Sequence, residues 1–345
     1  MLRRSIGPGH TSARACRRRH LLRIVRSRNL SRDARAHALK PIRLPTIARF
    51  DDRPMKSAAF QIIDAQIHQP LPPTPIDGSV SEEAKLLINV EIAREAMDSV
   101  GVDAALVVSA LPYIDACIAR YPDRFIGVET FAATGSDLSG AIERARSDAR
   151  VIAGRLLVAD FRTTELSPDF LSGGMDAGFK TAERVGLPLF LSTHGQAAAM
   201  RPLIERHPDL TIIIDHLGVS QHPVSPPRDD PWDRLDGLLS LAGFPNVHVK
   251  LCGIPLLSRE AFPFADTWPQ LHRIIDAFGP DRLLWASDYT RLRMADARGP
   301  SRNRGCLYSE SRDMLLHSDR IDQAAKTAIF GGTLKRVLQW EPSIS

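Results

Sequence analysis

The stretch QIIDAQIHQP, residues 61–70, predicts the first strand of the fold and the first side chains of a functional site. An apolar pair begins it, and the pattern Asp64-x-Gln66-x-His68 follows. Because side chains alternate along a strand, Gln66 and His68 are expected on the same face at the strand end. A polar strand end that only meets solvent would have the same pattern, so the interpretation depends on the rest of the chain.

Seven more apolar runs of strand length follow, separated by stretches with helical periodicity. They occupy residues 104–108, 125–129, 151–158, 187–192, 210–215, 247–251 and 282–285. Runs such as TIIID and RLLWA are apolar almost throughout, which is typical of strands covered on both faces. Eight such units favour a (β/α)8 TIM barrel over a doubly wound sheet, and the first βα turn has no GxGxxG motif. We expect a single domain over residues 57–345.

The helical stretches carry boundary signals. Ser79-x-x-Glu82 forms a predicted capping box before an amphipathic helix, and Gly101 is its expected end. Residues 321–340 predict one or two closing helices, interrupted at Gly331-Gly332.

Composition predicts a soluble globular enzyme. Of the 345 residues, 43% are apolar and 25% are charged, and no apolar run has the ~20 residues of a membrane span. The four cysteines form no CxxC pair, which argues against a disulfide framework or a cysteine-ligated zinc site. We expect a cytoplasmic protein with free thiols and no membrane partner.

The net charge of +5 comes from the N-terminal segment. Residues 1–54 carry 15 Lys and Arg against 3 Asp, so residues 55–345 carry 30 basic against 37 acidic residues. The segment resembles a transit-type or disordered extension, and Met55 is also a natural start, which makes an over-extended reading frame the preferred interpretation. With no aromatic residue before Phe50, we expect no nucleic-acid partner. Residues 1–56 are therefore predicted to lie outside the barrel.

In a barrel, polar residues that end the apolar runs share the C-terminal mouth, where such enzymes keep their sites. Several residues of the types used in catalysis would converge there, which is more telling than any single one. They are Gln66 and His68 after the first run, Arg155 on the fourth, His194 after the fifth, Asp215-His216 after the sixth, Lys250 on the seventh and Ser287-Asp288 after the eighth.

Five motifs together resemble the amidohydrolase-related TIM-barrel hydrolases, in the branch of sugar lactonases and pyrone-dicarboxylate lactonases. They are IIDAQIH, HPDLTIIIDHLG, NVHVKLCG, RLLWASDY and FGGTLKRVLQW, spread over about residues 60–340. The resemblance implies a His-x-His pair on the first strand, a histidine after the sixth and a base aspartate after the eighth. These map to Gln66, His68, His216 and Asp288.

Gln66 departs from that pattern. An amide is a poor zinc ligand beside imidazole, and Arg155 stands where metal-bridging relatives would carry lysine, so we expect no required metal. The alternative is Zn²⁺ or another divalent metal held by His68, His194, His216 and Asp288.

The resemblance implies hydrolysis of a lactone or similar cyclic carboxylate ester. Asp288 would activate water, and His68, His216 and Gln66 would hydrogen-bond the developing oxyanion. The predicted substrate-binding residues are Arg155, His194, Lys250 and Arg291, of which the cations could clamp a substrate carboxylate. Arg291 and Arg293 would equally suit solvated loop positions.

Two other functions stay open. A zinc-dependent decarboxylase of the same superfamily would need bound metal, and a retired barrel would bind ligand without turnover. Neither the substrate nor the oligomeric state follows from the sequence.

Overall fold

The computed structural model describes residues 60–70, 78–132, 137–221, 224–292 and 306–343. Eight parallel strands form one sheet in chain order, from β1 to β8. The strands are β1 Ile63–Ile67, β2 Ala104–Ser109, β3 Phe125–Thr130, β4 Val151–Leu157, β5 Leu189–Ser192, β6 Ile212–Ile214, β7 Val247–Cys252 and β8 Leu283–Ala286. All eight apolar runs expected from the sequence are strands.

The sheet curls until β8 meets β1. There the backbone N–H of Asp288 donates to the Gln66 carbonyl at 3.1 Å, and the backbone N–H of Ser287 donates to the Asp64 carboxylate at 2.9 Å. The predicted (β/α)8 barrel is confirmed.

Helices lie between successive strands and after the last one. They are α1 Glu82–Ser99, α2 Leu111–Arg120, α3 Leu138–Ser147, α4 Pro168–Leu171, α5 Asp176–Val185, α6 Arg201–Arg206, α7 Leu235–Leu239, α8 Trp268–Phe278, α9 Tyr289–Leu292, α10 Tyr308–Leu316, α11 Gln323–Thr327 and α12 Thr333–Leu338. A π-helical turn, Ala328–Gly332, interrupts the closing helices at the glycine pair, as expected. No described helix is both long and apolar enough to cross a bilayer.

The boundaries of α1 show how local signals act. Ser81 caps the helix by accepting a hydrogen bond from the Ala84 N–H at 3.2 Å, so the capping residue is two positions later than Ser79. Gly101 follows the helix with φ 64°, a left-handed conformation that glycine adopts without steric cost, which matches the expected end.

Two apolar layers hold the barrel. Side chains such as Leu106, Phe190 and Leu284 fill its interior, whereas alternate residues of the same strands pack outward against the helices. Because both faces are covered, the strands read as nearly continuous apolar runs. The expectations about residues 1–56, including Cys16, concern residues outside the described ones.

Candidate active site

The mouth at the C-terminal ends of the strands brings together the residues expected there. His194, His216, Asp288 and Arg291 line one small cleft. Gln66 lies directly beneath, with its side-chain nitrogen 3.3 Å from His216 Nε2 and 3.1 Å from His68 Nε2. Four strand ends thus supply one cluster.

β1 has a bulge that decides which of its polar residues enter the site. Asp64 pairs with Ala105 and Ile67 with Val107, so one extra residue of β1 lies between those pairs. Gln66 and His68 face the mouth, whereas Asp64 faces the helices, where it accepts a hydrogen bond from the Tyr308 hydroxyl at 2.7 Å. Simple alternation would have placed Asp64 beside Gln66.

Three site residues have positive φ angles. The values are 44° at His194, 52° at His216 and 50° at Asp288. Non-glycine residues adopt this conformation only where the surrounding structure compensates its cost, and such positions concentrate at functional sites. Each lies two residues after the end of a strand, so the abrupt turn holds the side chain over the barrel.

The orientation of the Gln66 amide follows from its neighbours. The ammonium of Lys250, on β7, hydrogen-bonds Gln66 Oε1. An ammonium group can only donate, so the carbonyl end of the amide must face Lys250. The NH2 end therefore points at the ring nitrogens of His68 and His216.

His68 is a neutral ring with a defined tautomer. Its Nδ1 lies 2.6 Å from the Val108 carbonyl oxygen, which can only accept, so the ring proton is on Nδ1. Burial lowers the pKa of His68 to about 3, and the nearby Asp288 offsets this only in part. Its Nε2 is thus a lone-pair acceptor for the Gln66 NH2 group.

Asp288 is a buried carboxylate at the centre of the cluster. Its Oδ2 lies 3.2 Å from His216 Nε2 and 3.6 Å from Arg291 Nε. Burial would raise the pKa of Asp288, but Arg291 and the two histidines hold that pKa well below its ordinary value. Among the residues that the structure describes, no hydrogen-bond donor reaches Oδ1, so this oxygen can accept a proton from a ligand or water.

Asp215 neutralises two buried cations beneath the mouth. Its carboxylate lies 2.7 Å from Arg155 Nε and 2.6 Å from Lys250 Nζ. Burial would raise the pKa of Asp215, but the two cations outweigh burial and keep it ionised. The sequence predicts Asp215 at the mouth but assigns it no role. Its position between β6 and His216 is the signal that could have indicated one.

His194 sits beside His216, with ring centroids 6.4 Å apart. Its Nε2 lies 3.0 Å from the Ser192 hydroxyl and its Nδ1 3.3 Å from the Ser225 hydroxyl. Burial, together with the nearby His216 and Arg155, lowers the pKa of His194 to about 3. Ser192 was not among the predicted residues, although it ends β5.

Arg291, on α9, differs from the other cations of the mouth. Its side chain is 26% exposed, whereas those of Arg155 and Lys250 are 6% and 0% exposed. It is therefore the described cation of the site that an entering ligand can reach. Arg293 lies outside the described residues.

Comparison with known proteins identifies the family. The family model for amidohydrolases matches residues 34–340, which is most of the chain. The chain belongs to the amidohydrolase family.

Two relatives match part of the chain in sequence. The L-fucono-1,5-lactonase of Burkholderia ambifaria is 32% identical over 145 residues, 41% of this chain and 46% of the relative. The 4-sulfomuconolactone hydrolase of Hydrogenophaga intermedia is 29% identical over 128 residues, 36% of this chain and 41% of the relative. The matches span less than half of either relative.

The solved structures agree on the fold. The 4-oxalomesaconate hydratase of Rhodopseudomonas palustris superposes with a TM-score of 0.56 at 15% identity, over 81% of this chain and 96% of that one. At this identity the likeness concerns the barrel alone.

Amidohydrolases often hold a metal, and three groups of metal-ligating kind meet here. Ligand atoms of His216, Cys252 and Asp288 lie within 4.8 Å of one another, and Cys252, at the end of β7, was not predicted. However, the Gln66 NH2 hydrogens point at the ring nitrogens that would ligate the ion, and the Lys250 ammonium lies behind the same amide. This donor set does not fit a divalent cation well.

Proposed function

We propose that this amidohydrolase hydrolyses the ester bond of a lactone or similar cyclic carboxylate, with Asp288 as the base that activates water. The observation that supports this most is the buried Oδ1 of Asp288, which meets no donor from the described residues yet belongs to an ionised carboxylate. An acceptor in that state can hold a water molecule by one of its protons. Both partial relatives named above are, by their names, enzymes that act on lactones.

The reaction then needs one proton transfer in each direction. A water proton passes to Asp288 while the water oxygen bonds to the lactone carbonyl carbon. When the ring C–O bond of the tetrahedral intermediate breaks, Asp288 returns a proton to the leaving alkoxide. The product is the open-chain hydroxy acid, and the carboxyl proton is released to solvent.

His68 enters this proposal with a different role from the one expected from sequence. With its ring proton directed to the Val108 carbonyl, the neutral ring has no proton on Nε2 to donate to an oxyanion. We assign His68 and Gln66 to shaping the wall beside Asp288. Of the groups that line the cleft, His194 and Arg291 can then donate to the oxyanion, because His216 Nε2 already meets the Gln66 amide and Asp288 Oδ2.

Arg291 is our candidate for binding a substrate carboxylate. Arg155 and Lys250, which were also expected to do so, each lie within 2.7 Å of Asp215, and their charges are compensated there. Arg291 has a more distant carboxylate contact and partial exposure, so its guanidinium can form a bidentate pair with an incoming anion.

The test is a hydrolysis screen on purified full-length protein, combined with metal analysis of the same sample. We expect turnover of at least one carboxylate-bearing lactone and less than stoichiometric zinc. Stoichiometric zinc with decarboxylation of a carboxylate substrate would contradict the proposal. Ligand binding without hydrolysis of any lactone or ester would contradict it in a different way, in favour of a retired barrel.

A further inference from the structure

Lys250 and Gln66 form a buried, hydrogen-bonded pair beneath the mouth. Lys250 is fully buried on β7, and its ammonium lies 4.2 Å from the centre of the Phe190 ring in addition to its contacts with Asp215 and Gln66 Oε1. Three groups from three other strands or strand ends therefore hold this ammonium in one position. Asp215 could be neutralised by Arg155 alone, so charge compensation does not account for a second buried cation.

The effect of Lys250 is on the other end of the Gln66 amide, its NH2 group. Because the ammonium requires the carbonyl oxygen, the two N–H groups must point the other way, toward His68 Nε2 at 3.1 Å and His216 Nε2 at 3.3 Å. If the amide were rotated, its NH2 group would face the ammonium with donors on both sides and no acceptor between them. Lys250 thus makes the two orientations unequal in energy.

We propose that Lys250 is a positioning residue that locks the Gln66 amide with its NH2 group toward His68 and His216, and that this locked amide keeps divalent cations out of the mouth. An N–H hydrogen carries partial positive charge, so a cation at the ring nitrogens would meet two such hydrogens. It would also have to displace the bond that already fills the His68 lone pair. The inference rests on the proposed metal-independent reaction, but it concerns cation binding and is measured without turnover.

Zinc binding to chelator-treated full-length protein provides the first test. Titration calorimetry with zinc chloride is performed on the parent, on Lys250→Met and on Gln66→Glu. Lys250→Met leaves Arg155 paired with Asp215 and frees the amide to rotate. Gln66→Glu keeps an acceptor for Lys250 but replaces the NH2 group with a ligating oxygen. Mutating a residue that hydrogen-bonds metal-ligating side chains typically changes metal affinity 10- to 100-fold. Both variants should therefore bind zinc at least about tenfold more tightly than the parent.

The chain offers a matched control at the other end of the barrel. Lys335 Nζ donates to Gln61 Oε1 at 2.5 Å, so Lys335→Met removes a bond between the same two residue types away from the mouth. Zinc affinity should equal that of the parent. If Lys250→Met and Gln66→Glu both fold and neither binds zinc more tightly than the parent, the proposal is wrong. If Lys250→Met does not fold, the exchange rate of the Gln66 side-chain NH2 group in the parent, described next, decides.

A second measurement needs no change at the site. In protein labelled with ¹⁵N-glutamine, the Gln66 side-chain NH2 signals, assigned by their loss in Gln66→Glu, should exchange with solvent at least tenfold more slowly than those of exposed glutamines. They should exchange faster in Lys250→Met and unchanged in Lys335→Met. Rapid exchange of Gln66 in the parent would overturn the locked amide. Parent protein that binds one zinc ion, and loses it in His216→Phe, would overturn the exclusion of cations. Neither readout is turnover, so failure of the lactone screen would not be confused with failure here.

Discussion

Oδ1 of Asp288 lies 3.3 Å from Nε2 of His68, and neither atom has a proton to share with the other. The ring proton of His68 is on Nδ1, and the carboxylate is ionised. Two acceptors this close repel each other unless a donor reaches them. Gln66 satisfies the ring nitrogen, which leaves the carboxylate oxygen to a water molecule or a substrate.

Asp288→Asn is expected to lower kcat by at least ~10²-fold with little change in melting temperature, because the amide keeps the shape but cannot accept a proton in the same way. The measurement is steady-state kinetics with a lactone found in the screen, beside a thermal melt. Asp322→Asn, at the N-cap of α11, is a control because asparagine caps helices as well as aspartate. A folded Asp288→Asn variant with the parent rate would refute the mechanism.

Activity is expected to survive removal of metal. Prolonged treatment with EDTA or dipicolinate should leave turnover essentially intact, since no step of the proposed reaction uses a cation. The assay compares treated and untreated protein at equal concentration. Loss of activity that added zinc restores would show that the metal-dependent alternative is right.

Arg291→Ala should raise KM about 10- to 100-fold for a lactone that bears a carboxylate, because a hydrogen-bonded contact to a charged group contributes roughly 1.5–3 kcal/mol. For a lactone of similar size without a carboxylate, KM should stay near that of the parent. Arg273→Ala, which removes an exposed arginine paired with Asp236, serves as the control. Equal losses for both lactones would argue against a carboxylate-binding role.

The same variant should shift the pH profile. Arg291 lowers the pKa of Asp288, so its removal raises that pKa and leaves less ionised carboxylate at acidic pH. The acid limb of kcat/KM is therefore expected to move to higher pH in Arg291→Ala, whether or not the substrate has a carboxylate. An acid limb that does not move would show that Asp288 is not the group that titrates.

Asp64 is expected to make stability depend on pH. Burial raises its pKa from 3.8 to about 6, despite hydrogen bonds from Ser287 and Tyr308 that oppose the rise. Between those two values the folded protein holds a proton that the unfolded chain releases, so this contribution to stability decreases as pH rises through about 6. At 1.36 kcal/mol per pKa unit, the loss amounts to about 3 kcal/mol.

Asp64→Asn tests this contribution, because the amide oxygen can still accept from the backbone N–H groups of Gln66 and Ser287. Urea unfolding of parent and variant is compared from pH 4 to pH 7. Buried histidines such as His68 and His194, with pKa values of about 3, contribute the opposite slope in both proteins and cancel in the difference. The variant should gain stability relative to the parent as pH rises, and parallel profiles would contradict the assignment.

Several parts of the site followed from the order of residue types along the chain. His68, His216 and Asp288 each come after an apolar run, and parallel strands in a barrel end at one mouth, so their convergence could be predicted without coordinates. The choice of a barrel itself rested on the count of eight apolar runs. Local signals were less decisive: Ser79-x-x-Glu82 fits the capping-box pattern, yet the cap of α1 is at Ser81.

Only the tertiary structure decided which groups face each other across the mouth. The bulge in β1 turns Asp64 toward the helices while Gln66 stays inside, and nothing in a period-two pattern marks the extra residue. Lys250 is 184 residues from Gln66, yet it determines which end of that amide meets the histidines. Sequence order determined that these side chains share one end of the barrel, whereas hydrogen-bond direction depends on which donors and acceptors lie within about 3 Å, and only the folded chain sets those distances.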